Sequence, residues 1–494
     1  MTKRIRIFFL LLFFSTNIFS QQKIGEFESA SGFRKGSYAA AYYIQELNGY
    51  QLNQQVGDNI VRTLYDSSFT IIKSYEVNTQ VYSFNKIFKT TPVYAMDLHF
   101  KNRNFEMYLD NKTLLLVEPD FDNKKDSIVF TYKINYYNLL ERPLAIMPFA
   151  NSLGLLYYFK KENKLVLYKW HSNGTIDTAD YLLPKSSMSP KEIKKYTKYA
   201  RVKYKNALYN LQVCRADEPS LLRLLAPNTI YYTDKKIWIL LQIPFNTGYS
   251  VLDIDIDKNT AASANYFIND MKKNVESKLE FEKILNAVIW KNKLIIRNTS
   301  YKSFEYFIYN LSTKQLIKKY SSLEGTPITS LINSDLNQNG TWYSANNEKN
   351  LTNEKAFLRK LQSGYGFICV SENDKDSLTV TTGSIKQTQG LIGSLITIGS
   401  LFISSKMGFV IGAVQIIPYI TIYRNKLFYC HTRFAHESFE NSASKKINTK
   451  LDELLKLFGN RDLSSHSSML FKNTNDYIFM VYNMDTNKFD LIRL

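Results

Sequence analysis

Three stretches of the 494-residue chain carry side chains that could do chemistry together. In Asp335-Leu336-Asn337-Gln338-Asn339-Gly340-Thr341-Trp342, oxygen-bearing residues alternate and a Gly follows. That order could bring Asp335, Asn337 and Asn339 around a calcium ion at a sharp turn. The terminal acidic ligand of such a loop is missing, because Asn346 stands twelfth. A plain polar turn explains the same residues, since Asn and Gly favour turns on their own account. Asp253, Asp255 and Asp257 also alternate, so a strand would set them on one face, where like charges repel unless something relieves them. Lys258 occupies the position a calcium loop gives to Gly. The densest titratable group is Cys430, His431, His436 and Glu437, whose spacing is not that of a helical zinc site. The chain contains no nucleophile elbow, phosphate-binding glycine loop or dinucleotide fingerprint. Carboxylates paired for glycoside hydrolysis cannot be assigned from sequence, because their partnership is spatial. The balance leans away from an enzyme, with no resident cofactor other than the calcium candidate.

Any such groups must be positioned by strands. Tyr (35) and Phe (32) are abundant while Pro (11) and Gly (19) are sparse, a composition that suits pleated surfaces. Hydrophobic content of 45% with 22% charged residues is enough to build a core. A phrase of turn residue, Lys and apolar strand recurs at Asn111-Lys112, Asn163-Lys164, Lys235-Lys236, Asn292-Lys293 and Asn425-Lys426. The last interval is about double the others, as if Phe367-Ile368-Cys369-Val370 and the following polar turn supplied a missing copy. A second phrase, strand then polar turn then strand, appears at Ile308–Lys314 and Val481–Asn487, and more loosely at Asp255–Thr260.

Repeats of about 40–50 residues with several strands each are the signature of propeller blades; the spacing here is longer, so insertions between strands are needed. In pattern, the two phrases resemble the second strand and the third-to-fourth-strand hairpin of bacterial extracytoplasmic β-propellers, over roughly Asn102 to Leu494. The stretch from Asp335 to Trp342 also resembles a degenerate Asp-box turn of sialidase-type propellers, where it is structural and confers no catalysis. The resemblance implies an all-β fold, a β-propeller of six or seven blades with short helical insertions. The alternative is two or more β-rich domains. Helical spacing and capping residues predict insertions at Ser189–Ala200, Asn269–Leu285 and Leu451–Gly459. Tyr38–Leu47 reads either as a helix or as one arm of a hairpin turning at Asn48-Gly49.

Residues 1–20 have basic Lys3, Arg4 and Arg6, an apolar run from Ile7 to Phe14 and a small Ser20, the layout of a cleaved secretory leader. The apolar run is shorter than the roughly 20 residues a spanning helix needs. Residues 21–101 then form an N-terminal segment that could hold a first blade, and residues 102–494 the propeller. The net charge of +19, or +16 once the three basic leader residues are removed, is dispersed, with no basic block of the kind that reads as nucleic-acid binding. Cys214, Cys369 and Cys430 permit at most one disulfide and lack zinc-site spacing. Residues 389–423 are apolar except for Lys406 and are punctuated by Gly. They read as buried core, as membrane contact or as a docking surface. The expected protein is exported to the periplasm or outer-membrane surface and binds a protein or glycan of the cell envelope. The alternatives are a propeller-type glycan hydrolase or lyase, and an envelope component docking through 389–423.

Overall fold

The computed structural model describes residues 23–493 except 35–38, 45–46, 79–92, 101–102, 110–112, 134–140, 150–151, 160–161, 163, 172–174, 183–211, 217–228, 244–247, 269–283, 323–326, 340–348, 375, 387–425, 442–448, 450–451, 453–467 and 474–475. The expected leader, the helix expected at 189–200, all but the last two residues of that at 269–285 (Ile284 and Leu285 open a strand), almost all of that at 451–459, and the apolar stretch 389–423 fall outside the described residues.

The chain divides into two compact units, one of Met1–Asn78 with Asp462–Leu494 and one of Thr79–Arg461. In the first, β1 (Lys23–Glu28) is followed by a four-stranded antiparallel sheet of β2 (Ala39–Ile44), β3 (Gly49–Val56), β4 (Asn59–Tyr65) and β5 (Ile71–Asn78). Tyr38–Leu47 thus resolves as a hairpin arm. Asn48 takes φ +45° at the turn, and a side chain on Gly49 would press its Cβ to 2.3 Å from the Tyr65 carbonyl oxygen.

The larger unit holds five sheets. The first is β6 (Val93–Phe100), β7 (Arg103–Leu109), β8 (Thr113–Asp120) and β9 (Lys125–Lys133). The second is β10 (Glu141–Phe149), β11 (Ser152–Phe159), β12 (Lys164–His171) and β13 (Ile176–Leu182). The third is β14 (Gln212–Arg215), β15 (Thr229–Tyr232), β16 (Lys236–Gln242), β17 (Gly248–Asp255) and β18 (Thr260–Phe267), with β14 parallel to β15. The fourth is β19 (Ile284–Trp290), β20 (Lys293–Thr299), β21 (Phe304–Asn310) and β22 (Leu316–Ser322). The fifth takes β23 (Asn337–Asn339), β24 (Lys349–Asn350), β25 (Tyr365–Asp374), β26 (Ser377–Lys386) and β27 (Lys426–Ala435) in the order β24-β23-β27-β26-β25. The smaller unit is completed by β28 (Ser468–Lys472), β29 (Tyr477–Asn483) and β30 (Lys488–Arg493), to which β1 adds as the fourth strand. These sheets are the blades of a β-propeller, as the repeat period implied. The boundary expected at residue 101 falls between β6 and β7, two strands of one sheet.

The recurring phrases mark physical positions in these sheets. The first introduces β8, β12, β16, β20 and β27, strands with neighbours on both sides, whose apolar runs are continuous because both faces are covered. It does not single out the second strand, as the resemblance implied: β8 and β12 are third in their sheets and β20 is second. Among the described residues, the doubled interval before Lys426 holds no additional sheet. Phe367–Val370 belong to β25, in the same sheet as β27. The second phrase is a turn in which an Asx side chain caps the chain and a residue at positive φ reverses it. Asn310 Oδ1 accepts from Ser312 N at 2.9 Å with Lys314 at φ +60°. Asp255 Oδ1 accepts from Lys258 N at 3.0 Å with Asn259 at φ +52°, and Asn483 Oδ1 from Asp485 N at 3.0 Å with Asn487 at φ +55°. Asp120 with Lys124 (φ +51°) is a further copy whose residue types conceal it.

One insertion is helical where the sequence reading placed none: α1 (Glu354–Gln362). The Asn353 side chain caps it by accepting from Ala356 N at 3.0 Å, and Phe357, Leu358 and Leu361 bury one face. Asn before an i, i+1, i+4 apolar set was the available signal. All three cysteines are buried free thiols.

Candidate functional site

Along a strand successive side chains point to opposite faces, and β27 uses this to separate the residues that look clustered in sequence. Cys430 and Thr432 turn toward the fourth sheet. There Tyr306 OH lies 3.1 Å from Thr382 Oγ1 and 3.3 Å from Thr432 Oγ1, and Thr382 Oγ1 lies 3.6 Å from Cys430 Sγ. Arg297 belongs to the same buried region. Its Nη1 donates to the carbonyls of Gly383 (2.9 Å) and Phe367 (3.5 Å), and Nη2 donates to Asn286 Oδ1. Its Nε has no hydrogen-bond partner, and burial pushes its pKa down to about 10. Burial likewise pushes the Cys430 thiol up to about 11, so it is neutral rather than a nucleophilic thiolate.

Tyr429 and His431 face the other way, onto Asp452. His431 Nε2 is 3.1 Å from Asp452 Oδ2, with the two side chains 1% and 8% exposed. Tyr429 OH donates to Asp452 Oδ1 at 2.8 Å, and Thr381 Oγ1 lies 2.8 Å from His431 Nδ1. Burial opposes the carboxylate, yet the hydrogen bonds and charge of His431, with those from Thr449 and Tyr429, outweigh it and hold Asp452 below the usual range. Hydroxyl, imidazole and carboxylate thus line up, but they lie inside the sheet. Sequence reading missed Asp452, although the Thr449-x-x-Asp452 spacing of a capping box marks it.

His436 lies elsewhere, beyond the end of β27. With Glu372 of β25 and Lys291 of the β19–β20 turn it forms a half-exposed ionic cluster. Lys291 Nζ is 2.7 Å and His436 Nε2 3.1 Å from Glu372 Oε1. Lys291 Nζ sits 4.5 Å from the Trp290 ring centroid, and the His436 ring meets that indole edge-on at 4.8 Å. Burial raises the Glu372 carboxyl, but the hydrogen bonds from Lys291 and His436 more than reverse this and leave it lowered.

The metal candidates occupy different ground. Asn337 and Asn339 belong to β23, which pairs with β27 at Asn337↔Tyr429 and Asn339↔Leu427, and Asp335 Oδ2 accepts from Asn350 Nδ2 at 3.0 Å. An extended strand replaces the expected turn because the outer edge of β27 recruits it for backbone pairing. Asp253 is relieved by Lys236 at 3.4 Å and Asp255 by Lys258 at 3.6 Å, so ammonium groups do what a cation would have done. Among the described residues no three His, Cys, Asp or Glu side chains are grouped to hold a metal.

A binding surface is better marked by the connections. In the larger unit the hairpin turns at one end of the sheets are tight, none longer than residues 311–315, although the connections 216–228 and 436–467 also leave from that end. From the other end the strands leave into the connections 183–211, 268–283, 323–336 and 387–425. Contacts show that these ends align between neighbouring sheets. Tyr249 OH donates to Leu285 O and Asn286 Nδ2 to Gly366 O at the long-connection end. Lys291–Glu372, Phe149–Tyr232 and Phe105–Trp170 meet at the short end. Residues 387–425 leave and re-enter at Lys386 and Lys426, which are register partners. Among the described residues no helix is long and apolar enough to cross a membrane.

No family model and no curated protein matches the chain. Solved structures similar to it include apo AztD from Citrobacter koseri, with 10% identity, 61% of this chain and 73% of that chain covered, and a TM-score of 0.24. The Dos1 propeller has 10% identity, coverage of 67% and 63%, and a TM-score of 0.27. Apo prolyl oligopeptidase B from Galerina marginata has 8% identity and a TM-score of 0.33; the match covers 90% of this chain and 47% of the oligopeptidase. The chain therefore spans about half the length of that enzyme. At these scores the likenesses carry nothing about activity or partner.

Proposed function

We propose that this protein is an exported β-propeller that binds a protein or glycan of the cell envelope through the sheet ends bearing its long connections. The observation that carries the reading is the uneven spread of connections in the larger unit: hairpin turns at one end span no more than residues 311–315, while the strands flanking 183–211, 268–283 and 387–425 leave and return at the other. Binding residues gather on loops that a rigid scaffold positions, and paired sheets supply the scaffold. Export rests on the leader-like residues 1–20.

A second reading is membrane association through 389–423. Entry and exit at paired residues mean that such a contact would be made by a hairpin, with both ends on one side. One experiment tests both readings. Because Lys386 and Lys426 are partners, residues 387–425 can be replaced by a short Asn-Gly turn that keeps the β26–β27 register. Wild type and variant are then fractionated from the native host and applied to immobilised envelope glycans and envelope proteins. Envelope binding by both favours a surface outside 387–425, whereas buffer-extractable binding by the wild type alone places that segment in it. Carbonate-resistant association by the wild type alone supports the membrane reading. Retention of the wild type in the cytoplasm refutes export and both readings with it.

A further inference from the structure

Asp452 belongs to two hydrogen-bond systems at once. Within its own segment it is half of a capping box: Thr449 N donates to Asp452 Oδ2 at 2.7 Å, Thr449 Oγ1 at 2.9 Å, and Asp452 N returns to Thr449 Oγ1 at 3.3 Å. Across to the sheet, the same carboxylate meets His431 Nε2 and Tyr429 OH on β27. Such boxes ordinarily face water, and this one is turned inward, with Thr449 3% and Asp452 7% exposed.

We propose that this carboxylate is a latch that fastens Thr449 and Asp452, shortly before the chain leaves the larger unit at Arg461, onto an already complete sheet. β27 does not need it for pairing. One edge is satisfied by β26, and at the other His431 N donates to Ser334 Oγ and Arg433 N to Asn333 Oδ1. The latch also tolerates either protonation state of His431. The carboxylate can only accept, so Nε2 must carry a proton. At Nδ1 the Thr381 hydroxyl donates to the neutral ring and accepts from the charged one, so neither bond is lost. Among the described residues, the charged and titratable groups around it are Asp452, Tyr429 and His431, with Arg433 further along the same face of β27.

Hydrogen exchange on the full-length protein tests the latch. In Asp452→Ala the Thr449 amide should exchange about 100-fold faster, while amides of Thr379–Thr382 and Cys430–Thr432 keep their protection. Unchanged Thr449 protection would overturn the proposal. So would equal acceleration throughout β26 and β27, which would make the carboxylate part of the sheet's own core. If Asp452→Ala does not fold, Tyr429→Phe removes one bond to the carboxylate and should accelerate Thr449 alone by about 5–10-fold.

Discussion

The strand that closes the smaller unit gives the most demanding test. Phe27 of β1 is fully buried, with its ring centroid 4.5 Å from that of Tyr65 and 5.9 Å from those of Tyr50 and Phe69. In register it faces Phe489 of β30. Phe27→Ala removes this ring from a site whose neighbours are anchored in β3, β4 and β30, so the cavity cannot collapse easily. The expected cost is about 3–5 kcal/mol, and about 1 kcal/mol for Phe27→Leu. With m near 1.5 kcal/mol/M in urea, the alanine variant lowers the midpoint of the smaller unit by roughly 2–3 M. The tryptophans allow this to be separated from the rest of the molecule. All four, Trp170, Trp238, Trp290 and Trp342, lie between Thr79 and Arg461. Tryptophan fluorescence therefore follows the larger unit, and hydrogen exchange at β29 and β30 follows the smaller. The variant should shift the exchange signal and leave the fluorescence transition in place. A joint shift would refute independent units, and a change below about 1 kcal/mol would refute the burial argument.

Other expectations follow from single contacts. A Cβ at Gly383 would stand 2.3 Å from the Phe428 carbonyl oxygen and 2.4 Å from the Phe367 ring, so Gly383→Ala should destabilise the larger unit by about 1–3 kcal/mol in urea unfolding followed by tryptophan fluorescence. Asp452 has a folded pKa below its unfolded value, so its contribution is complete above the unfolded value and lost as pH falls through the folded one. Thr449 protection, corrected for intrinsic exchange, should then be flat through neutral pH and fall only in acid below about pH 4; loss of protection at neutral pH would contradict the assignment to this carboxylate. Cys214, Cys369 and Cys430 should resist a maleimide in the native protein and all react in denaturant, whereas labelling under native conditions would contradict their burial.

The all-β class, the repeat and the hairpin turns were legible in the chain because they depend on local rules. Continuous apolar runs after Lys164, Lys236 and Lys293 report strands covered on both faces, and the Asx turns at Asn310 and Asn483 are set by a few neighbouring residues. What joins distant parts of the chain was not legible. Nothing in Lys23–Glu28 names Lys488–Arg493 as its partner, since pairing depends on free sheet edges and both segments read equally well as strands. The stretch Asp335–Asn339 reads as a turn by residue type and becomes largely strand because β27 offers an unpaired edge. His431 and His436, five positions apart, end in a sealed hydrogen-bonded pair and a half-exposed cluster because strand alternation and the end of β27 send them to different surroundings. Local sequence determined the elements and their turns. Tertiary structure alone decided which edges met and which polar side chains were buried together, because those outcomes depend on neighbours remote in the chain.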